Sequence, residues 1–435
     1  MSKSFETLGL NIPEILLPSE GTDYAKWAVI ACDQFTSDRA YWKDVEDTVG
    51  TTPSTLRLIL PEVYLGKDDE EERISSIHSK MEKYIEDGTL RKFPRGIILT
   101  KRISEGRSRL GFVVSVDLEK YDYSADSSSL IRATEGTVIE RIPPRLKVRD
   151  GASIEIPHII LLIDDPNNTV INPLVTLISD EIYDFELMKD GGRIYGSFIE
   201  AKYLEEMQDA LSSLYDNAIE KYGDKNAILY AVGDGNHSLA TAKAYWEKLK
   251  KSLTKEEQKD HPARFALCEI ENIHDDGIQF EAIHRVVFAK DNNNTDMIMK
   301  ELLKLLNEEN GKAYVVKSKN EAPGNSFVIP YIIEGVENYI VIESPSHKLE
   351  VGVLQNALDV IVKELKLADI DYIHGEASTR SLASEKGNIG FLLPAMDKFD
   401  LFPAIAGFGS LPRKTFSMGE ANEKRYYIEA KSIAR

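Results

Sequence analysis

Residues 226–251 read NAILYAVGDGNHSLATAKAYWEKLKK. The apolar run at 227–232 predicts a buried strand. Leu239, Ala242, Trp246 and Leu249 then recur every three or four residues, which predicts a helix. Between them stand Gly233, Asp234, Gly235, Asn236, His237 and Ser238. Two readings of this junction are open. In one it is a strand–helix turn in which Asp234 or Asn236 caps the helix. In the other the first N–H groups of the helix, which have no intrahelical partners, face an anion. Their partial positive charge attracts it, and the two glycines let it approach the main chain. Strand, turn and helix end then form a phosphate or carboxylate site. Gly233, Gly235, Asn236 and Ser238 would bind the anion, Asp234 would hold a metal or accept a proton, and His237 would act as acid or base. The P-loop pattern GxxxxGK[ST] is absent, and GxGxxS departs from the dinucleotide fingerprint GxGxxG.

Outward from this junction the patterns alternate irregularly. Strands are expected at Trp27–Ala31, Leu56–Leu60, 96–103, 109–117, 157–163, 264–271, 279–289, 312–317, 326–334, 338–343 and Ile389–Leu393. Helices are expected near Asp38–Val49, 67–87, 200–222, 296–308 and 351–366. Residues 251–262 suggest a solvated charged loop. Asp291–Thr295 is a turn-rich linker in which Asn294 or Thr295 would cap the next helix. Strands are often adjacent rather than alternating with helices, so the class is α+β, mixed sheets with surrounding helices. A chain of 435 residues is too long for one simple core. The expected division is a core over 1–290 that carries the junction and a C-terminal α+β lobe over 291–435 that lends strands and loops to the site.

Asp and Glu number 72 against 53 Lys and Arg, a net charge of −19. Such a surface repels phosphate backbones and anionic lipid, so neither nucleic acid nor membrane is expected as a partner. Cys32 and Cys268 show no metal-type spacing and no disulfide framework. No signal pattern opens the sequence, and no apolar run nears the ~20 residues of a membrane span. The expected location is cytoplasmic.

Three more polar clusters stand out. FEAIHRVVF (280–288) sets His284 and Arg285 in an apolar strand, and a buried Arg needs a partner, either an acid or an anionic ligand. DYIHGE (371–376) carries His374, with Arg380 close by. GFGSLPRKT (407–415) offers Lys414 and Thr415 on a glycine-rich loop suited to an anion. Asp33 and Gln34 follow the first expected strand. His78, His158, His261, His274 and His347 read as surface or strand-edge residues. No cluster has structural-zinc spacing, and GxSxG and HExxH are absent.

Taken together, AVGDGNHSLATA (231–242), FEAIHRVVF, LPRKTF (411–416), the opening IPEILLP and WAVIACDQFTS, and PSTLRLILPEVYL (53–65) resemble the prokaryotic family labelled domain of unknown function 1015. The glycine-histidine motif of that family is similar to the phosphate-binding motif of the ParB/sulfiredoxin superfamily. The resemblance implies a ParB/sulfiredoxin-like core with large insertions, a C-terminal α/β lobe, and a nucleotide (ATP, ADP or CTP) with Mg2+ gripped at the helix end. The family usually reads Asp-Gly-His-His-Arg. Here Asn236 replaces the first His and Ser238 the Arg, which removes a bidentate phosphate fork. Arg285, Arg380, or Arg413 with Lys414 would have to supply that charge. Asp33 stands where the family has an acidic residue after its first strand.

The function expected from these readings is a nucleotide-dependent, kinase-like phosphotransferase acting on a small polar metabolite such as an amino acid. His237, Asp234 and Asp33 would be catalytic. Gly233, Gly235, Asn236, Ser238, His284, Arg285, Lys414 and Thr415 would bind phosphate or nucleotide. One alternative is a non-catalytic sensor of a nucleotide or phospho-metabolite. Another is a metal-dependent hydrolase drawing on Asp234, His237, His284 and His374. The ligand is a small anion in each case, and the oligomeric state is open, a homodimer among the forms.

Overall fold

The computed structural model describes residues 2–36, 38–137, 141–178, 180–290 and 294–435. The chain forms two compact units. The first comprises Met1–Gln279, Phe399–Ser410 and Met418–Arg435, the second Phe280–Lys398 and Leu411–Ser417.

The first unit is organised around one large sheet. Its strands are β1 (Leu90–Ser104), β2 (Arg107–Asp117), β3 (Tyr121–Asp122), β4 (Ile131–Arg132), β5 (Ile160–Ile163), β6 (Asp180–Glu186), β7 (Arg193–Glu200), β8 (Tyr230–Asp234) and β9 (Phe265–Asn272). They lie in the order β6-β7-β1-β2-β9-β5-β8-β4-β3, and short N-terminal strands add to β2 and β1. Pairing is mixed: β9 runs parallel to β5, and β5 antiparallel to β8. Helices α1 (Glu70–Glu86), α2 (Ile142–Arg149), α3 (Glu205–Tyr222) and α4 (Asn236–Leu249) accompany it. Continuous apolar runs make the central strands: every residue of β5 is buried, as expected for a strand covered on both faces. Trp27, Trp42 and Trp246 are fully buried in the same core.

The second unit holds an antiparallel sheet of β10 (Phe280–Ala289), β11 (Lys312–Val316), β12 (Phe327–Ile333), β13 (Val336–Glu343), β14 (Ala368–His374) and β15 (Asn388–Phe391), in the order β11-β13-β12-β15-β10-β14. Helices α5 (Thr295–Glu309) and α6 (Glu350–Asp359) bury Leu302, Leu306, Leu354 and Leu358 in its own core. The class is α+β, as the sequence predicts.

Several expectations are corrected. Leu56–Leu60 is not a strand. Ser54 Oγ accepts from the Leu56 N–H at 3.2 Å and starts a single 3-10 turn over Thr55–Arg57, a local bond that competes with a ladder. Trp27–Ala31 shrinks to the two-residue strand Val29–Ile30, because Asp23 caps a helical turn over Tyr24–Trp27. Residues 251–262 are not a plain loop: a capping box between Thr254 and Glu257 starts a helix at Lys255–Asp260. The 351–366 helix changes to a π turn over Val360–Glu364. Of the expected linker, residues 291–293 lie outside the described residues. Asn294 occupies the cap position of α5 without a side-chain bond.

Charge is buried under the large sheet as well. On β9, Glu269 accepts from Thr100 at 2.5 Å and pairs with Arg425 at 2.6 Å. Glu271 is fully buried, and neither of its carboxylate oxygens makes a hydrogen bond. Arg109 Nε lies 3.1 Å away, off the line of one. Burial therefore wins over the field of Arg109 and lifts the Glu271 carboxyl from its ordinary 4.5 to about 7, helped by Glu269 and Asp275. Between those values the unfolded chain releases a proton that the folded chain keeps. Stability should fall as pH rises through this window, by roughly 3 kcal/mol for a shift of this size. Glu271→Gln should remove that slope, so its melting temperature gains on the wild type between pH 5 and pH 8. An unchanged gap across that range would show that Glu271 is ionised throughout.

Candidate active site

The end of β8 and the start of α4 build the site. Gly235 is the helix N-cap at φ 83°, ψ 27°, a left-handed conformation, and a Cβ there would lie 3.0 Å from the Ile159 Cα. At Gly233 a Cβ would lie 2.3 Å from the Met418 sulfur. Neither Asp234 nor Asn236 caps the helix, contrary to the simpler reading of this turn. Asp234 Oδ1 instead accepts from the Gly235 N–H at 2.9 Å, and Lys424 Nζ stands 3.5 Å from Oδ2. Asn236 is locked to Thr134: its Oδ1 accepts from the Thr134 N–H and its Nδ2 donates to Oγ1, both at 3.1 Å. With no capping side chain and no acid in its first turn, α4 presents a positive end.

Ser238 faces His158, and this histidine organises the site. It is buried, not the surface or strand-edge residue expected from sequence, because it precedes β5 in the interior. His261 is likewise buried, against Trp246. The His158 Nε2 is 3.1 Å from Ser238 Oγ and 3.6 Å from Asp33 Oδ2, and its Nδ1 is 2.8 Å from the Tyr427 hydroxyl. Tyr427 Oη in turn accepts from the Cys32 N–H at 3.1 Å. Burial alone would hold the imidazole neutral, but the Asp33 charge beside it raises its pKa above the ordinary value. Burial also works against Asp33, yet His158 and the Gln34 amide hold its carboxyl well below the usual range. The two therefore form an ion pair. Asp33 keeps a quarter of its side chain exposed, so an incoming group can reach it. The Cys32 thiol is pushed up to about 12 by burial and by Asp33 and Glu62, and stays protonated.

A cavity of about 150 Å3 opens beside this chain, lined in part by Ser238, His158, Tyr427, Glu62 and Arg145. Arg145 comes from α2 and bonds Glu62. Its charge lowers the pKa of Asp33, Cys32, Glu62 and His158 alike. Ser238 and Arg145 thus line one cavity.

Of the residues singled out from sequence, the first unit brings Asp33 together with Ser238 through His158, next to Gly233, Asp234, Gly235, Asn236 and His237. His237 lies in the first turn of α4, and its carbonyl accepts from Thr241 at 2.7 Å. His284, Arg285, Lys414 and Thr415 belong to the second unit. There Arg285 is fully buried; it donates to Gln355 Oε1 and the Arg413 carbonyl, both at 3.1 Å, and to the Ile283 carbonyl, and stacks on Tyr372. His284 Nδ1 accepts from the Leu393 N–H at 3.1 Å. Thr415 donates to the Pro412 carbonyl at 2.5 Å, Lys414 sits at φ 58°, and Arg380 pairs with Glu376 and Glu337. Sequence reading missed His158, Arg145, Lys424 and Tyr427. The only local signal was a histidine directly before an apolar run in IPHIILLI.

Among the described residues, no group of three His, Cys, Asp or Glu side chains is placed to share a metal ion. No described helix is long and apolar enough to cross a membrane. No curated protein sequence matches the chain. A family profile described as protein of unknown function (DUF1015) matches residues 16–361. The chain belongs to that family. The match to this family of unknown function covers β1 to β9 and the residues of the Ser238–His158–Asp33 chain, and stops before Tyr427. Among solved structures, a free serine kinase in complex with AMP is 13% identical, with 74% of this chain and 92% of that one covered and a TM-score of 0.41. A conserved hypothetical protein from Pyrococcus furiosus is 13% identical over 73% and 90%, at 0.37. SbnI from Staphylococcus aureus is 7% identical over 71% and 82%, also at 0.37. At such scores the likeness sets no residue correspondences.

Proposed function

We propose that the chain is a nucleotide-dependent phosphotransferase whose acceptor is a small hydroxyl-bearing metabolite. The observation that carries this reading is the Ser238–His158–Asp33 chain at the uncapped end of α4. It puts an ionised, reachable carboxylate beside a helix end suited to phosphate. The N–H groups at the start of α4 and the Arg145 guanidinium hold the phosphates of ATP, ADP or CTP and stabilise the charge that develops in transfer. Asp33 orients the acceptor hydroxyl and takes its proton. His158 positions Asp33 and keeps it ionised. Mg2+ on nucleotide phosphates needs only one or two protein carboxylates, and Asp234 is the one at the helix end.

Thermal melts with and without each nucleotide and Mg2+ test the phosphate site. One nucleotide should raise the melting temperature, and Ser238→Asp should abolish the rise. The new charge repels phosphate there, while an acid in the first turn favours the helix itself. If no nucleotide shifts the melt, or the shift survives in Ser238→Asp, the phosphate site is wrong. A shift without transfer to any hydroxyl acceptor would turn the reading to a nucleotide sensor.

A further inference from the structure

The cavity beside His158 has a chemistry of its own. Its polar members are Glu62 with Arg145, Arg149 with Glu155, His158, Ser238, Thr241 and the Cys32–Tyr427 contact. The charged groups there are mutually paired, so they present little net charge. The remaining wall is hydrocarbon, with Ile59, Leu60, Met81, Val148, Ile154 and Ile156 from four separate segments of the first unit. A polyol or a zwitterion seated against such a wall gives up water and gains no hydrogen bonds in return. An apolar group gains roughly 25 cal/mol for each Å2 it removes from water. A cavity of about 150 Å3 is also the size at which apolar walls accept a benzene-sized guest.

We infer that this cavity is the acceptor subsite, and that the acceptor is an alcohol with an apolar body about the size of a phenyl ring. The inference rests on the phosphotransfer reading above and narrows its acceptor from any small hydroxyl-bearing metabolite to an amphipathic one. The body lies between Ile59, Met81 and Val148, and the hydroxyl emerges at the His158 end toward Asp33. In the reaction the alcohol oxygen forms a bond to the terminal phosphorus as the bridging P–O bond to the nucleotide breaks. The hydroxyl proton passes to Asp33, and the nucleotide leaves one phosphate shorter.

The test uses the full-length protein and 2-phenylethanol as probe, with glycerol as the polar control and ethylbenzene as the apolar control without a hydroxyl. Ligand-observed NMR should show 2-phenylethanol and ethylbenzene binding and glycerol not binding, with or without nucleotide. Val148→Phe, on the partly exposed wall, should weaken 2-phenylethanol at least tenfold. Ile156→Phe serves the same purpose if the first variant does not fold. With the nucleotide that shifts the melt, phosphorus NMR should show 2-phenylethyl phosphate forming and nothing from ethylbenzene. Equal binding of glycerol, or 2-phenylethanol binding that neither wall variant weakens, overturns the inference. So does nucleotide-driven phosphorylation of glycerol in preference to 2-phenylethanol. Failure of the phosphotransfer reading is seen separately: probe binding that obeys the wall variants, but no nucleotide shift of the melt.

Discussion

Asp33→Asn is expected to cut phosphoryl transfer by about 10²–10⁴-fold, the usual loss when a positioned general base is removed, while nucleotide binding survives. The substitution keeps shape and removes charge. In the proposed reading the phosphates are held by the α4 end and Arg145, whereas Asp33 is bonded by Gln34 and faced by His158, so the nucleotide-dependent rise in melting temperature should persist. His158 loses its counter-charge and, being buried, returns to the neutral form. In the wild type Asp33 is held ionised below the usual carboxylate range, so the rate should stay flat on the acid side down to about pH 4, the ordinary carboxylate value. His158 gains charge at a raised pKa, so its share in holding Asp33 is present at low pH and fades as pH rises through that value. A transfer rate within a few-fold of wild type in Asp33→Asn, with the fold intact, would falsify the assignment of the base.

Arg425→Ala is expected to destabilise the first unit by about 3–5 kcal/mol, the range for leaving buried charge uncompensated. Arg425 is buried and stands between two carboxylates, with Glu269 Oε2 and Glu429 Oε2 each at 2.6 Å. It also donates to the Pro157 carbonyl at 2.7 Å, directly before His158. Truncation leaves Glu269 and Glu429 facing each other without a cation. It also loosens the tail at Tyr427, two residues on, so the nucleotide-dependent shift should shrink with stability. The triple variant Glu269→Gln/Arg425→Met/Glu429→Gln should recover much of the loss, because a buried ionic group replaced as a whole costs far less than one cut in part. Denaturant melts decide it. A loss under about 1 kcal/mol for Arg425→Ala, the scale of exposed ion pairs, would mean that water reaches the network.

The parts of the fold that were readable are those whose signal is local and repeated. The 226–251 stretch forms the strand and helix its spacing predicts, because period-2 and period-3.6 patterns are properties of a few neighbouring residues. The same holds for β1, β2, β9 and α3. Reading failed where a single side chain outweighed a short apolar run, as Ser54 does before Leu56. At 251–262 the capping box of Thr254 and Glu257 outweighs a charged composition that otherwise marks a loop.

Sequence by itself determined that a glycine-flanked helix start follows a buried strand, that Asp33 is the acid after an early strand, and that the class is α+β; that no side chain caps that helix came from the structure. Tertiary structure alone decided which groups meet there. Tyr427 touches His158 across 269 residues of chain, and Arg425 reaches Glu269 across 156. Periodicity and capping act over about one helical turn. Pairings at such separation are selected by packing and by the cost of burying an unpaired charge, which no local pattern encodes. The motif places Ser238 at the start of the helix; the fold set Arg145 in the cavity that Ser238 lines.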